Sequence, residues 1–224
     1  MSRSVLFDTE TTGLDPRGGD RVIEVACLEL VRDLPTGRHF HALIDPERDV
    51  PADAVRVHGI TAAQLQGKPR FAELVPALLD FLGDGPLIAH NAPFDFSFLD
   101  SEFARLGLPA LAPARMIDTL ALARSRFPGL PNSLDALCRR FGIDLSERTA
   151  HNALLDCRLL AQVYVELTGG RQRGLELAVA EAGGAAASFA LAGPRRAVLL
   201  EPSPARLAAH QAFIAKLKDP LWTA

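Results

Sequence analysis

The order of apolar patterns along this chain limits its possible folds more than any other property of the sequence. Three β-rich segments come first, and helices alternate with strands after them. A short buried strand is predicted at Val5–Phe7, and longer runs follow at Val22–Val31 and Arg38–Ile44. The turn signal Asp33–Gly37 separates the last two runs, so the three segments are predicted to form an antiparallel meander.

The second half of the pattern alternates between helical and strand periods. This order is typical of an α/β fold with a mixed central sheet flanked by helices. Helices are predicted at about 71–82 and 93–106 and near residues 119, 133 and 152, with short strands at 86–89 and near 116.

Two acids, Asp8 and Glu10, follow directly on the apolar run Val5–Phe7. Residues two apart in a strand point to the same face, so both carboxylates are expected to project together at the strand end. Hard oxygen ligands on one face suit Mg²⁺ or Mn²⁺. The alternative is an acidic turn that caps the loop at Gly13.

A six-residue pattern, H-N-A-x-[FL]-D, occurs twice, at His90–Asp95 and at His151–Asp156. Each copy places an acid early in a predicted helix. On one continuous helix, His151 and Asp156 would lie about 140° apart, so they converge only if His151 lies at or before the helix start, which we predict. His90 is interpreted as a loop histidine tied to the backbone. Four converging carboxylates would repel one another, and two divalent ions would remove that repulsion.

Composition and charge predict a soluble, cytoplasmic protein with weak intrinsic affinity for nucleic acid. No run is long and apolar enough to span a membrane, and the three cysteines lack metal-site spacing, so they are read as reduced side chains. Residues 1–170 carry 17 Lys and Arg against 23 Asp and Glu, a net charge of −6, and residues 171–224 carry 7 against 4, a net charge of +3. A protein with so acidic a body would need tethering to stay on DNA or RNA.

A change of composition after Gly169–Gly170 predicts two domains, a body at 1–170 and a tail at 171–224. Ala, Gly and Pro dominate at about 178–197, which is typical of a linker. Ser203–Pro204 then offers an N-cap and first turn for a helix that is expected to continue towards Pro220. A lone helix of that length is marginal in water, so it is expected to dock on a partner or, alternatively, on the body of its own chain.

Asp8-x-Glu10, the block ending in Asp95, and His151 followed by Asp156 resemble the four-acid-plus-histidine exonuclease superfamily. More narrowly, five ordered blocks resemble the epsilon proofreading subunits of bacterial DNA polymerase III: FDTETTGL, VHGI, HNAPFDFSFL, FPGLPNSLDALC and HNALLDCRLLAQVYVELTGG. The resemblance covers about Val5 to Gly170 and resumes in the tail. It implies a ribonuclease H-like fold and metal-dependent removal of nucleotides from the 3′ end of DNA.

The resemblance also implies a role for each of the five site residues. Asp8 would bridge two divalent cations, Mg²⁺ or Mn²⁺. Glu10 and Asp156 would complete the ion that holds the attacking water, and Asp95 would bind mainly through water. His151 would be the general base.

The resemblance implies that five further residues bind the substrate. None of the five is expected to distinguish one base from another. Thr11 and Leu14 would line the terminal nucleotide, with His58, Asn91 and Phe94 nearby. Phe94 as a core residue and Leu14 as a turn residue are the alternatives. A mispaired end would be selected because it unstacks at lower cost.

Two segments of the tail are implied in partner binding. Residues 172–177 have the Q-x-x-L-x-L form of a sliding-clamp-binding peptide, through Gln172, Leu175 and Leu177. The alternative is that they continue the preceding helix. Residues 198–224, with Leu217 and Trp222, resemble the segment that binds the polymerase alpha subunit.

Two other functions stay open. One is a stand-alone 3′–5′ exonuclease acting on RNA or on DNA ends, because the five site residues are shared across the superfamily. The other is a catalytically idle adaptor that joins polymerase to clamp. The tail argues against the first, and the complete set of site residues argues against the second.

Overall fold

The computed structural model describes residues 3–148, 150–169 and 202–217, which belong to two separate units. The first unit holds all described residues up to 169, and the second holds residues 202–217. The predicted clamp-binding segment 172–177, the predicted linker 178–197 and Trp222 lie outside the described residues.

The first unit is built on a mixed sheet, as predicted. Its five strands lie in the order β3-β2-β1-β4-β5. The first three strands pair antiparallel, whereas β1, β4 and β5 pair in parallel. The strands are β1 (Arg3–Thr11), β2 (Val22–Val31), β3 (Leu34–Leu43), β4 (Leu87–Ala89) and β5 (Met116–Asp118).

Helices connect and flank these strands. The predicted bounds of α3 are confirmed, α4 begins one residue earlier than expected, and α1 was not predicted as a helix. The α-helices in the described residues are α1 (Ala52–His58), α2 (Ala62–Leu65), α3 (Phe71–Leu82), α4 (Ala92–Arg105), α5 (Thr119–Arg126), α6 (Leu134–Phe141), α7 (Ala153–Leu167) and α8 (Pro204–Ile214).

The first strand is longer than its apolar run indicated. Predicted to end at Phe7, β1 continues to Thr11, so Asp8 and Glu10 lie within the strand rather than after it. Backbone pairing with β2 persists through Glu10, and a bulge follows between Glu10 and Thr11. The prediction ended the strand where polar side chains begin. The strand continues because it is held by backbone hydrogen bonds, which do not depend on side-chain polarity.

The turn between β2 and β3 lies earlier than predicted. Arg32 and Asp33 both have positive φ angles, 54° and 62°, and form a two-residue connection of the kind that suits hairpins. Leu34 therefore already begins β3, and Gly37 lies within that strand instead of in the turn.

The core has one layer on each face of the sheet. Side chains alternate along β1, so Val5 and Phe7 pack on the side of α3 and α4, whereas Leu6 packs on the side of α6 and α7. The same alternation directs Asp8 and Glu10 towards α7 and Thr9 towards α4. All three cysteines are free and buried, as expected of reduced side chains.

The described part of the tail is a short helix. Ser203 caps α8, and its hydroxyl oxygen accepts a hydrogen bond from the Arg206 N–H at 3.4 Å, which confirms the predicted start. The helix ends at Ile214, so Leu217 lies beyond it, and the side chain of Leu217 is 39% exposed. Across the described residues, no helix is both long and apolar enough to cross a membrane.

Candidate active site

The position of the third site acid, Asp95, depends on how α4 begins. Asn91 caps α4 in the left-handed conformation, at φ 67°. The Asp118 carboxylate at the end of β5 accepts hydrogen bonds from the backbone N–H groups of Asn91 (3.0 Å) and Ala92 (3.3 Å). Asp95 follows in the first turn of α4, and its Oδ1 accepts two hydrogen bonds from Thr9, one from the N–H (3.0 Å) and one from the hydroxyl (2.8 Å). The strand that carries Asp8 and Glu10 therefore also orients Asp95.

His151 and Asp156 are brought together by the start of α7. Asn152 is the N-cap, and its Oδ1 accepts a hydrogen bond from the Leu155 N–H at 3.0 Å. His151 thus precedes the helix, which confirms the predicted condition for convergence. Glu24 on β2 holds this helix end, because its carboxylate accepts hydrogen bonds from Ala153 N–H (3.2 Å) and Asn152 Nδ2 (3.3 Å).

The acids and the histidine meet at one cavity. One potential ligand atom each from Glu10, His151 and Asp156 lies within 4.8 Å of the other two. Asp8 and Asp95 line the same cavity, which has a volume of about 750 Å³. The structure therefore brings all five predicted catalytic positions to one place, although the role of each stays a prediction.

Burial and mutual repulsion make three of the carboxylates hard to ionise. Burial, together with the charges of Asp95 and Glu10, raises the pKa of Asp8 well above its usual value. Burial likewise raises the pKa of Glu10 to about 8 and that of Asp95 to about 7, even though the Thr9 hydrogen bonds act to lower the latter. Acids arranged in this way favour binding of a cation.

Asp156 differs from the other acids because it has a cationic partner. Both of its oxygens accept hydrogen bonds from the Arg148 guanidinium, at 2.6 and 2.7 Å. Burial acts to raise the pKa of Asp156, but the hydrogen bonds from Arg148 and His151 outweigh it, so this pKa is lowered. Nδ1 of His151 lies 3.4 Å from the Asp156 carboxylate, and that contact raises the pKa of His151 despite the nearby Arg148.

The donor set suits hard divalent cations. Carboxylate oxygens dominate the cluster, the His151 imidazole lies beside them, and the buried thiols stand apart from the group formed by Glu10, His151 and Asp156. Oxygen-rich sets of this kind match Mg²⁺ and Mn²⁺ better than softer metals. The carboxylates with raised pKa values ionise more readily when such ions neutralise their charge.

Four of the five predicted substrate-binding residues line the cavity: Thr11, Leu14, His58 and Phe94. Leu14 is 84% exposed at the rim. Phe94 is partly buried and packs against Phe98, with ring centroids 4.8 Å apart. Asn91 is the exception, because it caps α4 with an exposed side chain and is absent from the lining among the described residues.

Three residues at the site were missed by sequence reasoning: Thr9, Glu24 and Arg148. The signal for Arg148 was available, because a basic residue three positions before His151 is a natural counter-charge for the acid cluster. No comparable signal marked Glu24, which contacts Asn152 across 128 residues of sequence. His90 also reaches the cavity, and its Nδ1 lies 2.9 Å from the hydroxyl oxygen of Thr119.

Comparison with known proteins identifies the family to which this chain belongs. A family model described as Exonuclease (RNase_T) matches residues 5–164. A DNA polymerase III subunit epsilon from Rickettsia felis is 51% identical over 178 residues, covering 78% of this chain and 78% of the relative. A DNA polymerase III subunit epsilon from Pasteurella multocida is 46% identical over 176 residues, covering 76% of this chain and 70% of the relative.

Solved structures of exonucleases share the fold. Exonuclease X, in complex with 5′ overhanging duplex DNA, is 27% identical with a TM-score of 0.59, over 75% of this chain and 91% of that one. A zinc-bound Escherichia coli exonuclease I complex with single-stranded DNA has a TM-score of 0.64 at 21% identity, over 77% of this chain and 41% of that one. The chain therefore belongs to the exonuclease family and, within it, to the epsilon subunits of DNA polymerase III.

Proposed function

We propose that this chain removes mispaired nucleotides from the 3′ end of DNA, in the cytoplasm, as the proofreading subunit of a replicative DNA polymerase. The observation that carries the proposal is the convergence of Glu10, His151 and Asp156 in a cavity that Asp8 and Asp95 also line. Membership of the epsilon family supports the proofreading role.

Two divalent cations, Mg²⁺ or Mn²⁺, would activate a water molecule and stabilise the leaving oxygen when bound. Asp8, Glu10 and Asp156 would hold them directly. Asp95 would bind through water, because one of its oxygens already accepts two hydrogen bonds from Thr9. Thr9 thereby fixes the carboxylate of Asp95, which lines the cavity.

His151 would accept the proton of the attacking water. Its side chain is 50% exposed, so the ring can pass that proton on to solvent. The contact with Asp156 holds the ring in the cavity and raises the pKa of His151, which makes it a stronger base.

The terminal nucleotide would enter past the exposed side chain of Leu14, with Thr11, His58 and Phe94 along the wall. Asn91 would contact the strand only outside the cavity. The net charge of −6 on residues 1–170 leaves few cations for the DNA backbone, so we propose that the tail tethers the enzyme. Residues 172–177 would bind the sliding clamp, and residues 198–224 would bind the polymerase alpha subunit.

A primer-degradation assay tests the proposed reaction. The full chain is mixed with a labelled primer that is paired or mispaired at its 3′ end, in Mg²⁺ or Mn²⁺. We expect metal-dependent shortening from the 3′ end that is faster on the mispair, with Asp8→Ala as the inactive control. An RNA primer run in parallel tests the stand-alone alternative. No cleavage in either metal would favour the idle adaptor.

The division of roles between His151 and Asp8 gives a sharper test. His151→Ala should lower turnover by about 10² to 10⁴, because proton transfer to a positioned base contributes about that much. Binding of Mn²⁺ should be largely retained in His151→Ala and largely lost in Asp8→Ala, as measured by calorimetric titration. Equal loss of binding in both variants would refute the division.

A further inference from the structure

Arg148 is the cationic side chain in closest contact with the proposed metal ligands in the described residues. Its side chain is only 10% exposed, although Arg is normally a surface residue. Nε and Nη2 bind the two oxygens of Asp156 as a fork, at 2.6 and 2.7 Å, which is the strongest geometry for an arginine and a carboxylate. This arrangement uses the same oxygens that would bind a metal.

Arg148 also has a second anionic partner. Nη1 donates to Oδ1 of Asp135, at the start of α6, at 2.6 Å. Asp135 lines the cavity but lies outside the Glu10, His151 and Asp156 ligand group. A guanidinium that leaves Asp156 therefore still has a carboxylate to pair with.

A divalent cation on Asp156 and a guanidinium on the same oxygens would repel each other strongly at this separation. We propose that Arg148 is an internal counter-ion, which neutralises Asp156 when no metal is bound and gives up that carboxylate, staying with Asp135, when metal binds. The inference rests on the metal site of the proposed function. The observed free energy of metal binding would then be the intrinsic free energy of binding, reduced by the free energy needed to displace Arg148 from Asp156.

The test is calorimetric titration of Mn²⁺ into the full chain after treatment with EDTA. We expect Arg148→Gln to bind Mn²⁺ at least about fivefold more tightly than the unmodified protein, because the competing cation is gone. Arg139→Gln is the matched control. Arg139 pairs with the same Asp135, at 3.9 Å, but is 73% exposed and has no contact with Asp156 among the described interactions, so its removal should change the affinity less than about twofold.

A double-mutant cycle separates competition from general charge effects. Asp135→Asn should weaken Mn²⁺ binding, because Asp156 is then the only carboxylate hydrogen-bonded to Arg148 among the described residues. In the Arg148→Gln background the same change should have little effect.

Thermal unfolding gives a second readout that needs no activity. In EDTA, Arg148→Gln should unfold at a lower temperature than the unmodified protein, and Mn²⁺ should raise its unfolding temperature by more. Unchanged or weaker Mn²⁺ binding in Arg148→Gln, with normal binding by the unmodified protein, would overturn this inference alone. Absence of Mn²⁺ binding by the unmodified protein would overturn the proposed metal site as well.

Discussion

At the scale of single residues, Thr9 shows how an acid is kept in place before any cation arrives. It belongs to the same strand as Asp8 and Glu10 but faces the opposite side of the sheet, where α4 begins. Its N–H and hydroxyl both donate to one oxygen of Asp95, at 3.0 and 2.8 Å. These bonds stabilise the charged carboxylate in a place where burial opposes its charge.

Thr9→Val tests this arrangement, because it removes the hydroxyl donor and preserves shape and backbone. We expect the free energy of unfolding to fall by about 1 kcal/mol and exonuclease activity to fall about tenfold, as the loss of a partner behind a metal ligand typically does. Urea unfolding and the primer assay measure the two effects. The control is Thr36→Val, which removes a similar hydroxyl bond to Glu29, 2.8 Å long, and should leave activity unchanged. Full activity in Thr9→Val would contradict the role.

At the scale of elements, β2 and α7 are joined by one buried carboxylate. Glu24 is 1% exposed and accepts hydrogen bonds from Asn152 and Ala153 at the start of α7. His41 on β3 lies 2.6 Å from the same carboxylate. The position of α7, and with it that of Asp156, therefore depends on a strand that carries none of the predicted catalytic residues.

Glu24→Ala should destabilise the protein by about 2 kcal/mol, because it leaves buried donors without a partner. It should also lower activity per folded molecule, because the start of α7 is no longer held. Glu29→Ala is a matched control. It lies on the same strand and is 5% exposed, but it pairs with Arg3 and Arg38 instead of with α7. Denaturation curves should show a comparable loss of stability in both variants. Measured rates should show a loss of activity only in Glu24→Ala. Loss of activity in both variants would refute the role of Glu24 in holding α7.

Elements with strong local patterns could be predicted from the sequence. The bounds of β2 follow from a β-rich run and those of α3 from a helical pattern of apolar residues, and both are correct. The end of β1 was wrong, because polar side chains obscured a pairing that only the neighbouring strand reveals. Glu24 shows the same limit at the site, since its partners on α7 are fixed by packing and not by sequence spacing.

At the scale of the whole molecule, the acid cluster should make stability depend on pH in the absence of metal. An acid with a raised pKa binds its proton more tightly when folded, so its contribution to stability is lost as pH rises through that pKa. For Asp95 and Glu10, with pKa values of about 7 and about 8, this loss begins near pH 4.5, where the acids of the unfolded chain ionise, and is complete near pH 8. His58 and His90, whose pKa values burial lowers, act in the opposite direction only below about 6.5.

In EDTA, the unfolding temperature should therefore fall between about pH 6.5, above which His58 and His90 no longer oppose the loss, and about pH 8, and scanning calorimetry measures the slope. Saturating Mg²⁺ should remove most of this dependence, because the ions neutralise the ionised acids. Asp8→Asn, which removes one of the repelling charges, should flatten the slope without metal. An unfolding temperature that rises over the same range in EDTA would contradict the assignment.

The sheet order also has a consequence for how the enzyme is made. Asp8, Glu10 and Asp95 leave the ribosome early, and β1 can pair with β2 as soon as the hairpin is complete. His151 lies just before α7 and Asp156 lies in it, more than 50 residues after Asp95, and α7 is the last helix of the first unit among the described residues. A nascent chain that stops short of α7 holds three of the acids but neither the proposed base, His151, nor the fourth carboxylate, Asp156. We therefore expect an unfinished chain to be harmless to the chromosome, because cutting begins only when the nuclease domain has been synthesised in full.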